Sequence, residues 1–326
     1  MTTYKEIKGQ LIRSVSTDPT NPQIGQIWYN NTIGVLKGKV FLAAAWASGG
    51  NLNTARYSVG GAGTQTSGLA FGGGTGPAVS TADTEEYDGS SWSEQNNLST
   101  GRRYTSGCGT QTAGLCVAGF IRSAPNQSTD AVEEYDGSSW TAGGAYPAAT
   151  NSLVSAGTQT SAVSFGGNGS NATNEYNGSS WTSGGNMSVP RDFGGGLGTQ
   201  TAGLSFGGKT GSPQTSTNAT EEYDGSTWTA GGVLNTARNV LAGAGLQTAG
   251  LAFGGNTALG SGTTAVAEKY DGSSWTNTSS LANARSYIAG CGTQTLGLAF
   301  GGSPIPVNST EEFTDTIDAA QIITTS

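Results

Sequence analysis

Apolar positions in this chain form short clusters rather than long runs, and the clusters recur. From residue 54 to 92 the order is Arg56, a small-residue stretch with Gly60, Gly61 and Gly63, then Gln65, Gly68-Leu69-Ala70-Phe71-Gly72-Gly73, a polar insert, Thr84-Glu85-Glu86-Tyr87 and Asp88-Gly89-Ser90-Ser91-Trp92. Short clusters bounded by Gly, Asn, Asp or Ser read as strands. The pattern predicts four per unit: one starting at Arg56, one over 68–73, one over 84–87 and one holding Trp92. Asp88-Gly89 supplies the positive φ that a tight hairpin between the last two requires. Glycine weakens an ordinary strand, but it suits a place where backbones approach closely.

The unit occurs six times. Its tryptophans, Trp46, Trp92, Trp140, Trp181, Trp228 and Trp275, step by 46, 48, 41, 47 and 47 residues, and Gln65, Gln111, Gln159, Gln200, Gln247 and Gln294 step identically. A period of this size signals a solenoid, a propeller or an array. Trp to the next Arg position is 10 residues, Arg to the Phe position 15 and Tyr to Trp 5, whereas Phe to Tyr takes 16, 18, 11, 17, 17 and 13. All length variation therefore lies between the second and third strands. In an up-and-down sheet these connections share a face with the fourth-to-first connections, and variable loops on one face of a fixed scaffold are where repeat proteins place binding. The first Trp precedes any Arg, and the sixth copy ends at Phe313 without one. The expected fold is thus all-β, a six-bladed β-propeller with four antiparallel strands per blade, its ring closed by a strand around Trp46 that completes the last blade and removes two open edges.

Residues 1–37 lie outside the repeat, and Gln26–Tyr29 and Val35–Lys37 around Asn30–Gly34 read as a short hairpin. The expected division is an N-terminal arm or docking hairpin over 1–37, a propeller over 38–316 and a tail over 317–326. Trp28, Tyr29 and Leu36 are the arm's candidate docking residues.

Composition narrows the function classes. Glycine makes up 54 of 326 residues and 11% are charged, but the glycines stand at fixed repeat positions beside Trp, Tyr and Phe, which argues against disorder. A net charge of -8 without a Lys or Arg run leaves no nucleic-acid footprint. No stretch reaches membrane-spanning length, so no membrane insertion is expected. Three cysteines cannot form a full disulfide framework and fall at small or apolar repeat positions, where they read as packing; a Cys108–Cys116 bridge is the alternative. With no histidine, Ser-His-Asp and Cys-His catalysis and His-based metal sites are excluded, and no cofactor is implied.

Arg56, Arg102, Arg191, Arg238 and Arg285 could line an anion site, but Glu85, Glu133, Glu221, Glu268 and Glu311 recur in step with them, and structural Arg–Glu pairing is the expectation. Paired carboxylates such as Glu85-Glu86 repeat around the ring, whereas catalytic acids need differing environments. The non-repeated residues of the variable loops, Phe120, Ile121, Arg122, Lys209 and Ile305 among them, are the candidate contact positions.

The run from Arg56 to the Gly72-Gly73 doublet, followed by Glu-x-Tyr-Asp and Trp, resembles the kelch repeat over residues 38–316, with Thr150 in place of Arg in the third copy and Val117-Ala118-Gly119 in place of Phe-Gly-Gly in the second. The phrases GTQT, FGG, TEEYDGSSW and LNTAR, with the preface TDPTNPQIGQIWYNNTIGVLKG, are similar to structural tail and fibre proteins of marine tailed bacteriophages. That resemblance implies a non-enzymatic virion component, assembled in the host cytoplasm in several copies, with other virion proteins and a host-surface glycan or protein as partners. The alternative is a soluble carbohydrate- or protein-binding module outside any particle.

Overall fold

The computed structural model describes residues 12–23, 25–122, 125–257 and 262–322. No helix occurs among them; the architecture is all-β, dominated by antiparallel four-stranded sheets, and is consistent with a β-propeller. The chain divides into two compact units, Met1–Ala45 with Thr314–Ser326, and Trp46–Phe313.

In the larger unit each copy of the repeat supplies one sheet. The first consists of Gly60–Thr64, Ser67–Phe71, Thr84–Tyr87 and Trp92–Gln95, hydrogen-bonded in that order. The next four open with Ser106–Thr110, Val154–Thr158, Gly195–Thr199 and Ala242–Leu246. The sixth opens with Ala289–Gly292 and takes its fourth strand from the other end of the chain, Ala45–Ser48 lying beside Thr310–Thr314. Trp46 holds it there: its ring lies 5.1 Å from both Phe253 and Phe313, and its indole N–H donates to Ser279 O at 2.8 Å. First strands of successive sheets are neighbours, and Ala289–Gly292 also neighbours Gly60–Thr64.

Three repeated contacts join successive sheets, except that Val117 stands where the third copy's Trp would meet a Phe and Phe313 stands where the sixth copy would have its Tyr. The GTQT glutamine donates to two backbone carbonyls of the preceding sheet; Gln111 reaches Tyr87 O at 2.7 Å, and Gln65 reaches Phe313 O at 2.5 Å in the sixth sheet. The repeated Trp lies against the preceding Phe, as Trp140 against Phe71 at 4.9 Å, a contact of about 1 kcal/mol beyond area burial. The repeated Tyr donates to the preceding sheet's second glutamate, as Tyr87 to Glu312 at 2.6 Å. Burial first, and then that carboxylate, push the Tyr87 hydroxyl up to about 12.

The first strand starts at Gly60, not at the expected Arg56; Arg56 only bridges Val307, and Ser58 between them has a φ of 54° that interrupts the extended backbone. The Tyr-to-Trp hairpin forms as expected, with Tyr87 opposite Trp92, Gly89 at φ 92° and Asp88 Oδ1 accepting the N–H groups of Ser90 and Ser91 at 2.8 Å. Cys108, Cys116 and Cys291 are free and buried; Cys108 stands opposite Leu115 and Cys116 opposite Gly107.

The smaller unit is a sheet of Arg13–Val15, parallel to Ile27–Asn30, then Val35–Leu42 and Ile317–Ile322, both antiparallel. Its composition departs from the expected boundaries. The 37/38 division falls inside a strand, and 317–322 is the partner of that strand rather than a tail, because Lys37 through Leu42 pair with Ile322 through Ile317. Asp18 ties the unit together, accepting from the Trp28 indole at 3.0 Å, from Asn30 at 2.8 Å and from Lys37 at 2.5 Å.

Candidate functional site

At the loop end of each sheet the backbone turns through a residue two positions after the repeated arginine. These six residues, Ser58, Tyr104, Ser152, Phe193, Val240 and Tyr287, all lie at φ between 49° and 60°, an unfavourable region for non-glycine residues that costs about 1–3 kcal/mol each. Each is held there by a hydrogen bond to its counterpart in the preceding copy. Tyr104 N donates to Ser58 O, Ser152 N to Tyr104 O, Phe193 N to Ser152 O, Val240 N to Phe193 O and Tyr287 N to Val240 O; Ser58 N then donates to Tyr287 O at 2.9 Å. The arginine pairs lie just outside. Arg56 meets Glu85 at 2.6 Å, Arg102 meets Glu133 at 2.9 Å, Arg238 meets Glu268 at 2.9 Å, Arg285 meets Glu311 at 2.7 Å, and Arg191 pairs with Glu221. The second oxygen of Glu85 accepts the Asn53 N–H at 2.7 Å, a bond repeated at Glu133, Glu221, Glu268 and Glu311. These ten side chains are buried and paired charge for charge, so they brace the loop end and leave no net charge for a ligand.

The turn residues line a recess of about 100 Å³, which continues between the glycine-rich first strands into a cavity of about 140 Å³. Glycine is required at position 107, where a Cβ would come within 2.4 Å of the Phe71 ring and 2.7 Å of Gly61 O, whereas the third copy has Ser155 at the equivalent place. Tyr104, Phe193 and Tyr287, from alternate copies, gather over the recess with ring centroids 5.5, 5.9 and 6.0 Å apart, so the rings touch. Burial pushes the Tyr287 hydroxyl up to about 12 and raises that of Tyr104, against which Arg103 and Arg122 act.

Around this trio the residue after the repeated arginine differs from copy to copy: Tyr57, Arg103, Asn151, Asp192, Asn239 and Ser286. The Arg103 guanidinium lies 5.7 Å from the Tyr57 ring centre and 5.1 Å from that of Tyr104, and it donates to the Tyr57 hydroxyl at 2.6 Å. Lys209 stands 4.8 Å above Phe193. Asp192 is buried, accepts from Gln214 at 3.2 Å, and has its carboxyl pushed up by that burial, with Gln214 and Lys209 opposing.

The structure separates the candidates that the sequence suggests. Lys209 borders the trio through Phe193, and Phe120 lies 6.5 Å from Tyr104 and exchanges backbone hydrogen bonds with Arg103. Arg122 Nε donates to Pro77 O at 3.1 Å, beside Gly76 O, which accepts from Arg103 at 3.4 Å. Ile121 pairs with Gln127 on the lengthened hairpin of the second sheet, and Ile305 is exposed on the sixth loop. Two of the variable loops also contain residues 123–124 and 258–261, which lie outside the described residues. In the smaller unit Tyr29 is exposed and pairs with Leu36, but Trp28 is 0% exposed, so its ring is part of the interior and offers no docking surface. Sequence reasoning misses Arg103, Asp192 and the aromatic trio, because the two positions after the arginine read as the start of a strand; their change from copy to copy between fixed neighbours is the available signal. Compared with protein-family models and with curated proteins, the sequence matches none.

Proposed function

We propose that the chain is a six-bladed, kelch-like β-propeller whose ring is closed by Ala45–Ser48, and that it serves as a non-enzymatic structural protein of a phage particle, mounted through its smaller unit and presenting its loop face to a host surface. Support for the ring comes from the backbone hydrogen bond of Ser58 to Tyr287, from Gln65 reaching the sixth sheet, and from Trp46 lying between Phe253 and Phe313. The observation that carries the functional reading is where asymmetry falls. Sheet-to-sheet contacts repeat nearly unchanged, whereas the loop end carries a different set of side chains in every copy, as a recognition surface on a constant frame does. Exposed Tyr29 and its strand neighbour Leu36, rather than Trp28, are the residues of the smaller unit suited to mounting.

Gold-labelled antibody against residues 50–316 should decorate tails or fibres of purified particles. Deleting 1–42 together with 315–326 should abolish incorporation while leaving the larger unit folded. A chain absent from particles, yet still binding its partner after that deletion, would instead be a free carbohydrate- or protein-binding module.

A further inference from the structure

Among the cations of the larger unit, five arginines have glutamate partners, and Lys269 sits on the third strand of the fifth sheet. The others, Arg103, Arg122 and Lys209, all stand at the loop end, and among the described residues no salt bridge joins them to a carboxylate. Arg103 is the most demanding of them. It is 5% exposed and stacked against Tyr57 and Tyr104; its Nε is buried with no hydrogen-bond partner, as are those of Arg56, Arg191, Arg238 and Arg285, but unlike them it has no carboxylate. A buried guanidinium without a counter-charge is unfavourable, and the more conspicuous in a chain of net charge -8 that gave five other arginines a glutamate each. Arg122 is drawn to the same place, since the two arginines hold the consecutive carbonyls of Gly76 and Pro77.

We propose that the loop face around Arg103 and Arg122 is a binding site for an anionic saccharide, in which a uronate carboxylate or a sulfate ester supplies the missing counter-charge. This deepens the loop-face reading above and rests on it, but not on where the propeller is mounted. The guanidinium fork suits a planar or multidentate oxyanion. The rings of Tyr57, Tyr104 and Phe120 border Arg103 and offer apolar surface for the sugar's C–H groups. An acidic peptide is the less suitable occupant, because extended peptides bind by adding to a free strand edge, and this end presents turns and loops instead.

The test is calorimetric titration of the purified full chain with hexagalacturonate, its neutral methyl ester, a sulfated carrageenan hexaose and hexaglutamate. The acid should bind at least about tenfold more tightly than its ester, with affinity falling as salt rises. The carrageenan arm then tells whether sulfate serves as well as carboxylate. Arg103→Met should abolish binding; half-buried Arg122→Gln, which keeps the fold, should weaken it about three- to tenfold, while Lys269→Gln, with the same change in net charge, leaves it unaltered. Equal binding of acid and ester, or equal loss in the Arg122 and Lys269 variants, would overturn the site. Tighter binding of hexaglutamate than of any sugar would overturn the saccharide assignment. Because purified protein is used, failure here leaves the particle reading standing, and absence from particles leaves this site standing.

Discussion

Arg238 and Glu268 are both fully buried, and the guanidinium also donates to Gly254 O at 2.8 Å and Val266 O at 2.7 Å. The third copy solves the same packing problem without charge. Thr150 stands for the arginine, Asn174 for the glutamate, and Tyr146, at a position held elsewhere by Leu or Met, accepts on its hydroxyl a hydrogen bond from Asn174 Nδ2 at 2.9 Å. Tyr146 also lies 4.9 Å from Trp181, the ring that would otherwise meet the phenylalanine replaced by Val117. One tyrosine therefore compensates for departures in two neighbouring copies. Arg238→Thr alone strands a buried carboxylate and should cost about 3–5 kcal/mol in urea unfolding. Adding Glu268→Asn should recover part of that loss, and adding Leu234→Tyr with Phe206→Val should recover most of it; Leu234→Tyr without Phe206→Val overpacks and destabilises. The Arg–Glu pairing was legible in the sequence because both series keep step. The role of Tyr146 was not, since it depends on which side chains meet across two sheets.

At the scale of the element, the hairpin between third and fourth strands carries its own pH dependence. Asp88 accepts the Ser91 and Ser90 N–H groups and the Ser90 hydroxyl, which hold its carboxyl down from 3.8 to about 2. Asp136 and Asp271 behave alike, and Asp224 is lowered in the same sense. Because the folded value lies below the unfolded one, the stability these turns contribute is fully present above pH 3.8 and is lost as pH falls toward 2. The third copy already has Asn177 in this place, accepting the same N–H groups. Replacing all four aspartates by asparagine should therefore flatten the acid limb of stability over that window, read by thermal melts at stepped pH. This hairpin is fully legible, since an Asp-Gly that begins four residues before a repeated Trp admits little else. The first strand is less so: the positive φ at Ser58 leaves no mark in an ordinary serine, so the sequence pattern puts the strand's start at Arg56, four residues before Gly60.

For the whole molecule, what matters is that the sixth sheet touches the first. An open stack of repeats loses roughly one repeat's stability when an end is removed. Here the last sheet is also bound to the first through Gln65, Tyr87 and Ser58. Removing 285–326 should consequently abolish the cooperative urea transition rather than diminish it, whereas the intact chain should unfold in one step by circular dichroism and tryptophan fluorescence. The domain division was the part least legible in the sequence: Ile317–Ile322 has no repeat signature, and its pairing with Val35–Leu42 joins segments at opposite ends of the chain. The circuit of hydrogen bonds at the loop end has another consequence. It is made by peptide groups alone, and it already accepts serine, tyrosine, phenylalanine and valine at equivalent points. The frame therefore does not read the letters it carries: six positions linked by the same backbone bonds can each be rewritten separately, and the chain can acquire a new surface vocabulary without relearning how to fold.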